Sequence, residues 1–420
     1  MKSSDKSHSN RNLDEWLSYL ENIHSSEIDM GLERISIVAQ KLFIDLSFAQ
    51  VITVAGTNGK GTTCAFLENA LLEKNKSVVV YSSPHIIKFN ERLRINKHDV
   101  DDQALIDAFE TIENQRGSVS LTYYEYTTLA AMLVIMAKQP DVVILEVGLG
   151  GRLDATNIID ADIAVITTVD LDHQEFLGDN RESIGFEKAG IMRANQQVVV
   201  GDQQPPLSVI QHAEKLNAQL YIRDVDFRIE QSKEKNTWQW RHQELSYQHL
   251  PEPNIPKDNI ATALMVLNLL NISFSNVELS SLILNTKVSG RTEVVNAHCK
   301  VLLDVGHNPL AARYLTNQVN SITKNKVHAV VGMLADKDIQ NTLEPLIPAV
   351  EHWYLATLDV PRGANADILK NNLDIDDKKV LTFDNVIDAY KMAISQAENS
   401  DLILVYGSFF TVAQVKAFLN

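Results

Sequence analysis

The chain has 420 residues, of which 45% are hydrophobic, so it is long enough for a substantial core and for two or three domains. Its net charge of −16 excludes a general nucleic-acid binder, because such a protein presents a basic surface. The two cysteines, Cys64 and Cys299, imply no disulfide framework, and we expect both to be buried. Without a secretory signal or an apolar run of membrane-spanning length, we expect a cytoplasmic protein that does not bind membranes.

The first half of the chain predicts an α/β domain. Residues 1–12 are polar and are expected to form a disordered tail, and helical spacing follows at 13–20 and 32–42. Strands and helices then alternate, which predicts a mostly parallel sheet with helices on both faces. The predicted strands are 51–55, 78–81, 142–147, 163–168 and 198–201. We expect this domain to span 13–289.

The pattern changes near residue 220. Short alternating runs separated by polar turns predict a small antiparallel meander attached to the first domain, at 221–223, 227–230, 237–241 and 245–247. A helix is predicted at 259–270. A second alternating series predicts strands at 301–305, 328–332, 353–356, 380–383 and 402–406. We therefore expect a smaller Rossmann-like α/β domain at 298–420, after a linker at 290–297.

The segment 56–62 reads Gly-Thr-Asn-Gly-Lys-Gly-Thr and lies between a predicted strand and a predicted helix. This order forms a phosphate cradle, because backbone N–H groups, the helix N-terminus and Lys60 all face the anion. The general P-loop pattern has Ser or Thr directly after the lysine, whereas this chain has Gly61. The hydroxyl that normally holds Mg²⁺ is therefore absent, and a metal ion at this site needs other ligands.

Three loops at the carboxyl ends of predicted strands offer such ligands, since open α/β sheets bind ligands at that edge. Glu146 ends a strand of the buried type, where a carboxylate is costly unless it is paired or bound to a metal. Ser83 carries a suitable hydroxyl, although a cap or turn better explains a serine considered alone. His173, beside Asp172, is a candidate third ligand, although a lone histidine is more often structural.

Two further segments allow a structural and a functional interpretation. Lys188 follows Glu187 on a predicted helix, where an exposed charge or a salt bridge is what the chemistry alone predicts. Asp304 follows a predicted strand of the second domain, in a position to accept hydrogen bonds from a ribose or to position a phosphate. A helix N-terminal box explains the segment 304–309 equally well.

Together these segments resemble a known family, the bacterial bifunctional dihydrofolate synthases/folylpolyglutamate synthases of the Mur ligase superfamily. The similar segments are 56–62, 82–84, 145–156, 171–173, 187–191 and 304–309. The resemblance runs from about Trp16 to the C-terminus and includes the glycine after the lysine. It implies an ATP-dependent amide ligase that adds L-glutamate to 7,8-dihydropteroate and further glutamates to reduced folates through an acyl phosphate. It also implies Mg²⁺, with a monovalent cation as a further candidate.

The resemblance implies the site residues as well. It assigns the metal to Ser83, Glu146 and His173. The catalytic residues that it implies are Lys60, His307 and a carbamylated Lys188. Contacts with ATP are implied for Thr57, Asn58, Gly59, Lys60, Gly61, Thr62, Asn259, Arg291 and Asp304. Contacts with dihydropteroate are implied for Ile28, Asp29, Thr122, Tyr123, Tyr124, Glu125, Leu153, Asp154 and Ala155.

The sequence leaves three alternatives. The first is a folylpolyglutamate synthase without dihydropteroate activity, against which the segment 122–125 argues. The second is a cell-wall Mur ligase, which carries a separate N-terminal substrate domain, for which the 55 residues before Gly56 are too few. The third is a non-catalytic nucleotide-binding module, which needs no coherent set of metal ligands. We expect the protein to be a monomer.

Overall fold

The structure is a computed structural model that describes residues 11–26, 28–232, 234, 236–322 and 324–419. Eight strands form the larger sheet: β1 (Gln50–Ala55), β2 (Val78–Tyr81), β3 (Leu93–Ile95), β4 (His98–Asp99), β5 (Val142–Glu146), β6 (Ile163–Ile166), β7 (Gln197–Val200) and β8 (Gln219–Ile222). They pair in the order β4-β3-β2-β5-β1-β6-β7-β8, and only β3 and β4 run antiparallel to their neighbours. The predicted mostly parallel sheet is confirmed. Of the predicted tail, residues 1–10 lie outside the described residues.

Helices cover both faces of this sheet. In chain order they are α1 (Leu13–Asn22), α2 (Glu33–Lys41), α3 (Lys60–Glu73), α4 (Asp102–Arg116), α5 (Tyr123–Lys138), α6 (Gln174–Leu177), α7 (Arg181–Ala189), α8 (Leu207–Lys215), α9 (Lys257–Leu269) and α10 (Asn276–Asn285). One core joins the sheet to α3, α9 and α10, and another joins it to α1, α2, α4 and α5. Because both faces are covered, every residue of β2 and β5 is buried, as a parallel sheet requires.

The small antiparallel sheet consists of β9 (Phe227–Gln231), β10 (Thr237–His242) and β11 (Leu245–Pro251), with β10 in the centre. Trp238 and Trp240 are buried in the core that contains α3, which attaches this sheet to the first domain. The prediction that 221–223 belong to the meander is wrong, because most of that run lies in β8, which pairs parallel with β7. As an edge strand, β8 is only half-buried, so its composition resembles that of a meander strand.

The sequence prediction also missed the pair β3 and β4. These strands have three and two residues, too few for an alternating pattern to be recognised. They form an antiparallel hairpin on the edge of the large sheet, next to β2.

The C-terminal sheet contains β12 (Glu293–Asn296), β13 (Lys300–Asp304), β14 (Val327–Val331), β15 (His352–Ala356), β16 (Val380–Phe383) and β17 (Leu402–Tyr406). Its order is β12-β13-β17-β14-β15-β16, so the last strand along the chain lies in the interior of the sheet. The helices around it are α11 (Pro309–Ser321), α12 (Ile339–Leu343), α13 (Ala366–Asn371), α14 (Val386–Gln396) and α15 (Phe409–Leu419). All five predicted strands are present.

The predicted linker 290–297 contains β12, which pairs antiparallel with β13 and so belongs to the C-terminal sheet. Short 3-10 helices occur at Phe89–Arg92, Ala155–Ile158, Glu344–Ala349 and Asp377–Lys379. Cys64 and Cys299 are buried and unpaired, as expected. Among the described residues, no helix combines the length and apolarity that a membrane crossing needs.

Candidate active site

The phosphate loop connects β1 to α3 in a conformation that depends on Gly59. The φ angle of Gly59 is +88°, and a Cβ atom there would lie 2.4 Å from Oδ1 of Asn259. The Asn259 amide also donates to the Thr62 hydroxyl at 2.7 Å, which ties α9 to the first turn of α3. Lys60 begins α3, and its ammonium donates to the carbonyl of Gly56 at 2.9 Å. The lysine amine therefore lies against the loop that would bind phosphate.

Glu146 ends β5, next to the phosphate-loop strand, and is buried. Its carboxylate forms no hydrogen bond or ion pair with any residue that the structure describes. Burial raises the pKa of Glu146, while Lys60, Arg291 and Arg94 oppose that rise. A Cβ atom on Gly61 would lie 3.6 Å from Glu146 Oε2, so the glycine after the lysine faces the carboxylate. A buried carboxylate with free lone pairs fits a hard divalent cation.

His173 lies in a group of polar side chains from both domains. It has a left-handed backbone (φ +49°) at the start of α6, and its N–H donates to Asp172 Oδ1 at 2.8 Å. Burial is the main cause that lowers the pKa of His173, to about 4, so the ring is neutral at pH 7, as a metal ligand must be. His307 Nε2 lies 3.6 Å from Asp172 Oδ2, and Lys337 Nζ donates to Asp172 Oδ1 at 2.8 Å.

Two cavities meet beside these residues. The larger, of about 560 Å³, lies between the two domains, and its wall includes Ser83, His173 and His307. The other, of about 480 Å³, has Gly61, Ser83, Glu146 and Arg291 in its wall. Ser83 is common to both walls, whereas His173 lines only the larger cavity and Glu146 only the other.

Most of the candidate dihydropteroate residues line the larger cavity. They are Ile28, Asp29, Thr122, Tyr124, Glu125, Leu153, Asp154 and Ala155. The structure does not bring Tyr123 to this wall. Its ring packs edge-on against Phe89, with the centroids 6.2 Å apart, and the Arg92 guanidinium lies 5.6 Å from the ring centroid. The reason is helical geometry, since consecutive residues of α5 point about 100° apart.

The carboxylate of Asp154 holds its own loop together. Oδ2 accepts the N–H groups of Gly148 and Leu149 at 3.0 and 2.9 Å. Oδ1 accepts the N–H of Thr156 at 3.0 Å and its hydroxyl at 2.7 Å. With four donors on a buried carboxylate, Asp154 shapes the cavity wall mainly by ordering residues 148–156.

The first turn of α5 contributes a capping box to the cavity. The Thr122 hydroxyl accepts the N–H of Glu125 at 3.1 Å, and Glu125 Oε2 accepts the N–H of Thr122 at 2.8 Å. Arg34 lies 3.3 Å from Glu125 Oε1 and 2.8 Å from Asp29 Oδ2, so one guanidinium joins the two acidic groups of the wall. Residue 27, in the adjoining segment, lies outside the described residues.

Lys188 is buried near the end of α7, which corrects the exposed charge that the chemistry of the sequence predicts. The difference arises because the loop after β5 covers this helix: Arg152 N donates to the Glu187 carbonyl at 2.7 Å, and the Arg152 guanidinium pairs with the Glu187 carboxylate at 2.9 Å. The expected salt bridge of Glu187 is present. Burial, with Lys60 as the second cause, lowers the pKa of Lys188 to about 7.

The candidate nucleotide residues come from both domains. Asp304, at the end of β13, accepts the N–H groups of Thr292 at 2.9 Å and Gly306 at 2.8 Å. The Arg291 guanidinium lies 5.3 Å from the centroid of the Phe409 ring. Asn58 exchanges two hydrogen bonds with Asn308, at 2.9 and 3.0 Å, so the phosphate loop contacts the C-terminal domain directly.

Sequence reasoning missed several residues of the larger cavity. Lys337, Arg362 and Ser408 belong to loops of the C-terminal domain, and Phe409 is the first residue of α15. Ser408 and Phe409 follow β17, and Lys337 lies in the loop after β14. Open α/β sheets bind ligands at the carboxyl ends of their strands, which is the reasoning that found Glu146. Applied to β14, β15 and β17, it could have found these four residues too.

Comparison with known proteins identifies the family. Residues 54–303 match the Mur ligase middle domain, and residues 290–409 match the glutamate ligase domain of the Mur ligases. The dihydrofolate synthase/folylpolyglutamate synthase of Escherichia coli (strain K12) is 45% identical over 401 residues, which cover 95% of this chain and 94% of that protein.

Two solved structures agree with this assignment. E. coli FolC in complex with DHPP and ADP has a TM-score of 0.92 at 44% identity and covers 97% of this chain and 98% of its own. A bifunctional folylpolyglutamate synthase/dihydrofolate synthase with Mn, AMPPNP and L-glutamate bound has a TM-score of 0.90 at 45% identity, with coverages of 97% and 98%. The chain therefore belongs to the Mur ligases and, among these ATP-dependent ligases, to the dihydrofolate synthases/folylpolyglutamate synthases.

Proposed function

We propose that this enzyme adds L-glutamate to 7,8-dihydropteroate, and further glutamates to reduced folates, with release of ADP and phosphate. The observation that carries the proposal is the interdomain cavity of about 560 Å³. Its wall is formed by eight of the nine candidate dihydropteroate residues together with Ser83, His173 and His307. The relatives that were solved with DHPP and ADP, and with AMPPNP and L-glutamate, support the same pair of substrates.

A carboxylate does not acylate an amine at neutral pH, so the reaction needs ATP to convert it into an acyl phosphate. Lys60 and the backbone N–H groups of 59–62, at the start of α3, would stabilise charge on the transferring phosphoryl group. Arg291 and Asp304 would hold the nucleotide from the C-terminal side. The cavity wall that both domains build would keep water from the acyl phosphate before the glutamate amine attacks.

We assign Mg²⁺ to Ser83, Glu146 and His173. Bound there, the ion would supply Lewis-acid polarisation of the phosphoryl oxygens. The support is chemical: a hydroxyl, an unpaired buried carboxylate and a neutral imidazole line two cavities that share Ser83 in their walls. A carbamate on Lys188 would add an anion, and a depressed pKa favours the neutral amine that carbamylation requires. His307 lies in the wall of the larger cavity, and we therefore propose it as a further catalytic residue.

For glutamate, the C-terminal wall of the cavity contains Arg362 together with Ser408. A guanidinium group complements a carboxylate of the amino acid. We further propose residues 13–289 and 298–420 as the two domains, with β12 of the linker added to the second sheet. We also propose a monomeric enzyme, an accessory monovalent cation and a cytoplasmic location. Two unpaired buried cysteines are consistent with a reducing compartment.

A substrate-dependence assay tests the proposal. Purified protein is given ATP, Mg²⁺ and L-glutamate, and ADP release is measured with dihydropteroate, with tetrahydrofolate or with neither. We expect release in the first two reactions and none in the third. Release with tetrahydrofolate alone would identify a folylpolyglutamate synthase without the first activity, and no release in any reaction would contradict the proposed substrates.

A further inference from the structure

Four side chains from both domains meet beside the large cavity. Asp172 and His173 come from the loop after β6, His307 follows β13, and Lys337 follows β14. Asp172, His173 and His307 each offer one ligand atom within 4.8 Å of the other two, a spacing at which they can share one cation. The fourth side chain of this cluster, Lys337, carries a positive charge of its own.

The ammonium of Lys337 makes the contacts that a metal ion would make there. Nζ lies 2.8 Å from Asp172 Oδ1 and 3.4 Å from His173 Nε2. The side chains of Lys337 and Asp172 are 7% and 10% exposed, so little water intervenes. An ammonium only donates hydrogen bonds, and it therefore contacts the unprotonated lone pair of His173 Nε2. A metal ion binds an imidazole through the same kind of lone pair.

The loop that carries the two acceptors is held in place independently of Lys337. The N–H of His173 donates to Asp172 Oδ1 at 2.8 Å, and the amide of Asn308 donates to Asp172 Oδ2 at 3.0 Å. The carboxylate and the ring would therefore keep their positions if the lysine left. The cation position is built by the protein, and the lysine fills it.

We propose that Lys337 is an internal substitute cation, which occupies the Asp172–His173 position and which a divalent metal ion must displace in order to bind His173. The inference rests on the proposed function in one respect, the assignment of His173 to the metal. Displacement also breaks an ion pair between the two domains, so metal binding and the docking of the C-terminal loop oppose each other at this point.

Mn²⁺ binding to the full chain without nucleotide tests the inference, with the EPR signal of free Mn²⁺ as the readout. Removing a positive charge a few ångströms from the ion should tighten binding by about tenfold in Lys337→Met. Lys337→Gln, which keeps a polar side chain, should tighten it similarly and serves if the methionine variant is unstable. Unchanged or weaker Mn²⁺ binding in the folded variants would overturn the inference.

Arg313→Met is the matched control. Arg313 pairs with Asp170 across the same domain contact, at 3.3 Å, and lies outside the Asp172–His173 group. We expect Arg313→Met to leave the Mn²⁺ affinity unchanged. If it tightened Mn²⁺ binding as much as Lys337→Met does, net charge alone would explain the effect of Lys337, and the inference would be overturned. His173→Ala separates the two claims. If His173→Ala leaves Mn²⁺ binding unaltered, the assignment of His173 to the metal is wrong. If His173→Ala weakens Mn²⁺ binding but Lys337→Met does not change it, only the substitute-cation inference is wrong.

Discussion

The amine of Lys188 is buried, and burial together with the nearby charge of Lys60 lowers its pKa to about 7. An amine with that pKa is about half neutral at pH 7 and largely neutral at about pH 8, whereas a lysine in water stays protonated until about pH 10. Only the neutral amine reacts with CO₂, so the carbamate should accumulate as the pH rises through 7. A carbamate resonance in ¹³C NMR, after equilibration with ¹³C-bicarbonate, would report this directly.

Lys188→Ala should remove that resonance and reduce turnover by about a hundredfold or more, because an anion in the active site is lost. The fold should persist, since burying an unpaired amine does not stabilise it. Short carboxylic acids should restore part of the activity by filling the vacated place. Lys215→Ala, on the exposed end of α8, is the control and should keep both signal and turnover. A fully active Lys188→Ala enzyme would contradict the role.

Glu146→Gln should have opposite effects on activity and stability. Turnover should fall by about a hundredfold or more, with partial recovery at raised Mg²⁺, because a neutral amide binds the ion weakly. Burial raises the pKa of Glu146, so the folded chain favours the protonated carboxyl. The ionised group therefore costs stability above the unfolded pKa, and in metal-free buffer at pH 7 the glutamine variant should melt at a higher temperature than the parent.

The sign of that difference is checked by lowering the pH. As the parent carboxyl takes up its proton, the stability gap between parent and Glu146→Gln should close. Added Mg²⁺ should raise the melting temperature of the parent more than that of the variant. A variant that is less stable than the parent in metal-free buffer at pH 7 would show that Lys60 and Arg291 already compensate the carboxylate.

Among the elements, the loop 148–156 depends on Asp154, whose carboxylate accepts four hydrogen bonds. Asp154→Ala should disorder this wall of the cavity and lower kcat/KM for dihydropteroate more than for tetrahydrofolate, if the two substrates sit differently. Thr156→Val, which removes only one of the four donors, should cost about 1 kcal/mol of stability and little specificity. Equal losses with both substrates would argue against distinct positions in the cavity.

How far the sequence predicts these elements depends on their length and burial. The buried strands β2 and β5 and the glycine loop carry strong local patterns, so their places follow from the sequence. The hairpin of β3 and β4 is too short to leave a pattern, and the half-buried edge strand β8 resembles a meander strand. At the site, Glu146 could be found because a charge at the end of a buried strand is unusual.

Lys188 could not be found in that way, because its burial is created by tertiary contacts. The loop with Arg152 covers α7, and this contact cannot be predicted from the sequence of the helix itself. Only the family resemblance raised Lys188 as a site residue. Lys337 is similar, since its partner Asp172 is remote in sequence and lies in the other domain.

For the whole molecule, the reciprocal amide pair of Asn58 and Asn308 joins the phosphate loop to the C-terminal domain. Asn58→Ala and Asn308→Ala should each raise the KM for ATP. A double-mutant cycle should give a coupling of about 1 kcal/mol, since the two side chains contact each other. Additive effects in the cycle would mean that the domains are apart when ATP binds.

The position of β17 has a consequence for how the protein is made. This strand is the last of its sheet to be synthesised, yet it lies between β13 and β14, which pair with it rather than with each other. While translation proceeds, β13 and β14 are already available but have no shared neighbour, so their apolar residues remain exposed until β17 emerges from the ribosome. The first domain can fold during synthesis, whereas the C-terminal sheet must wait, and a chain that stops before Leu402 would leave it open to aggregation.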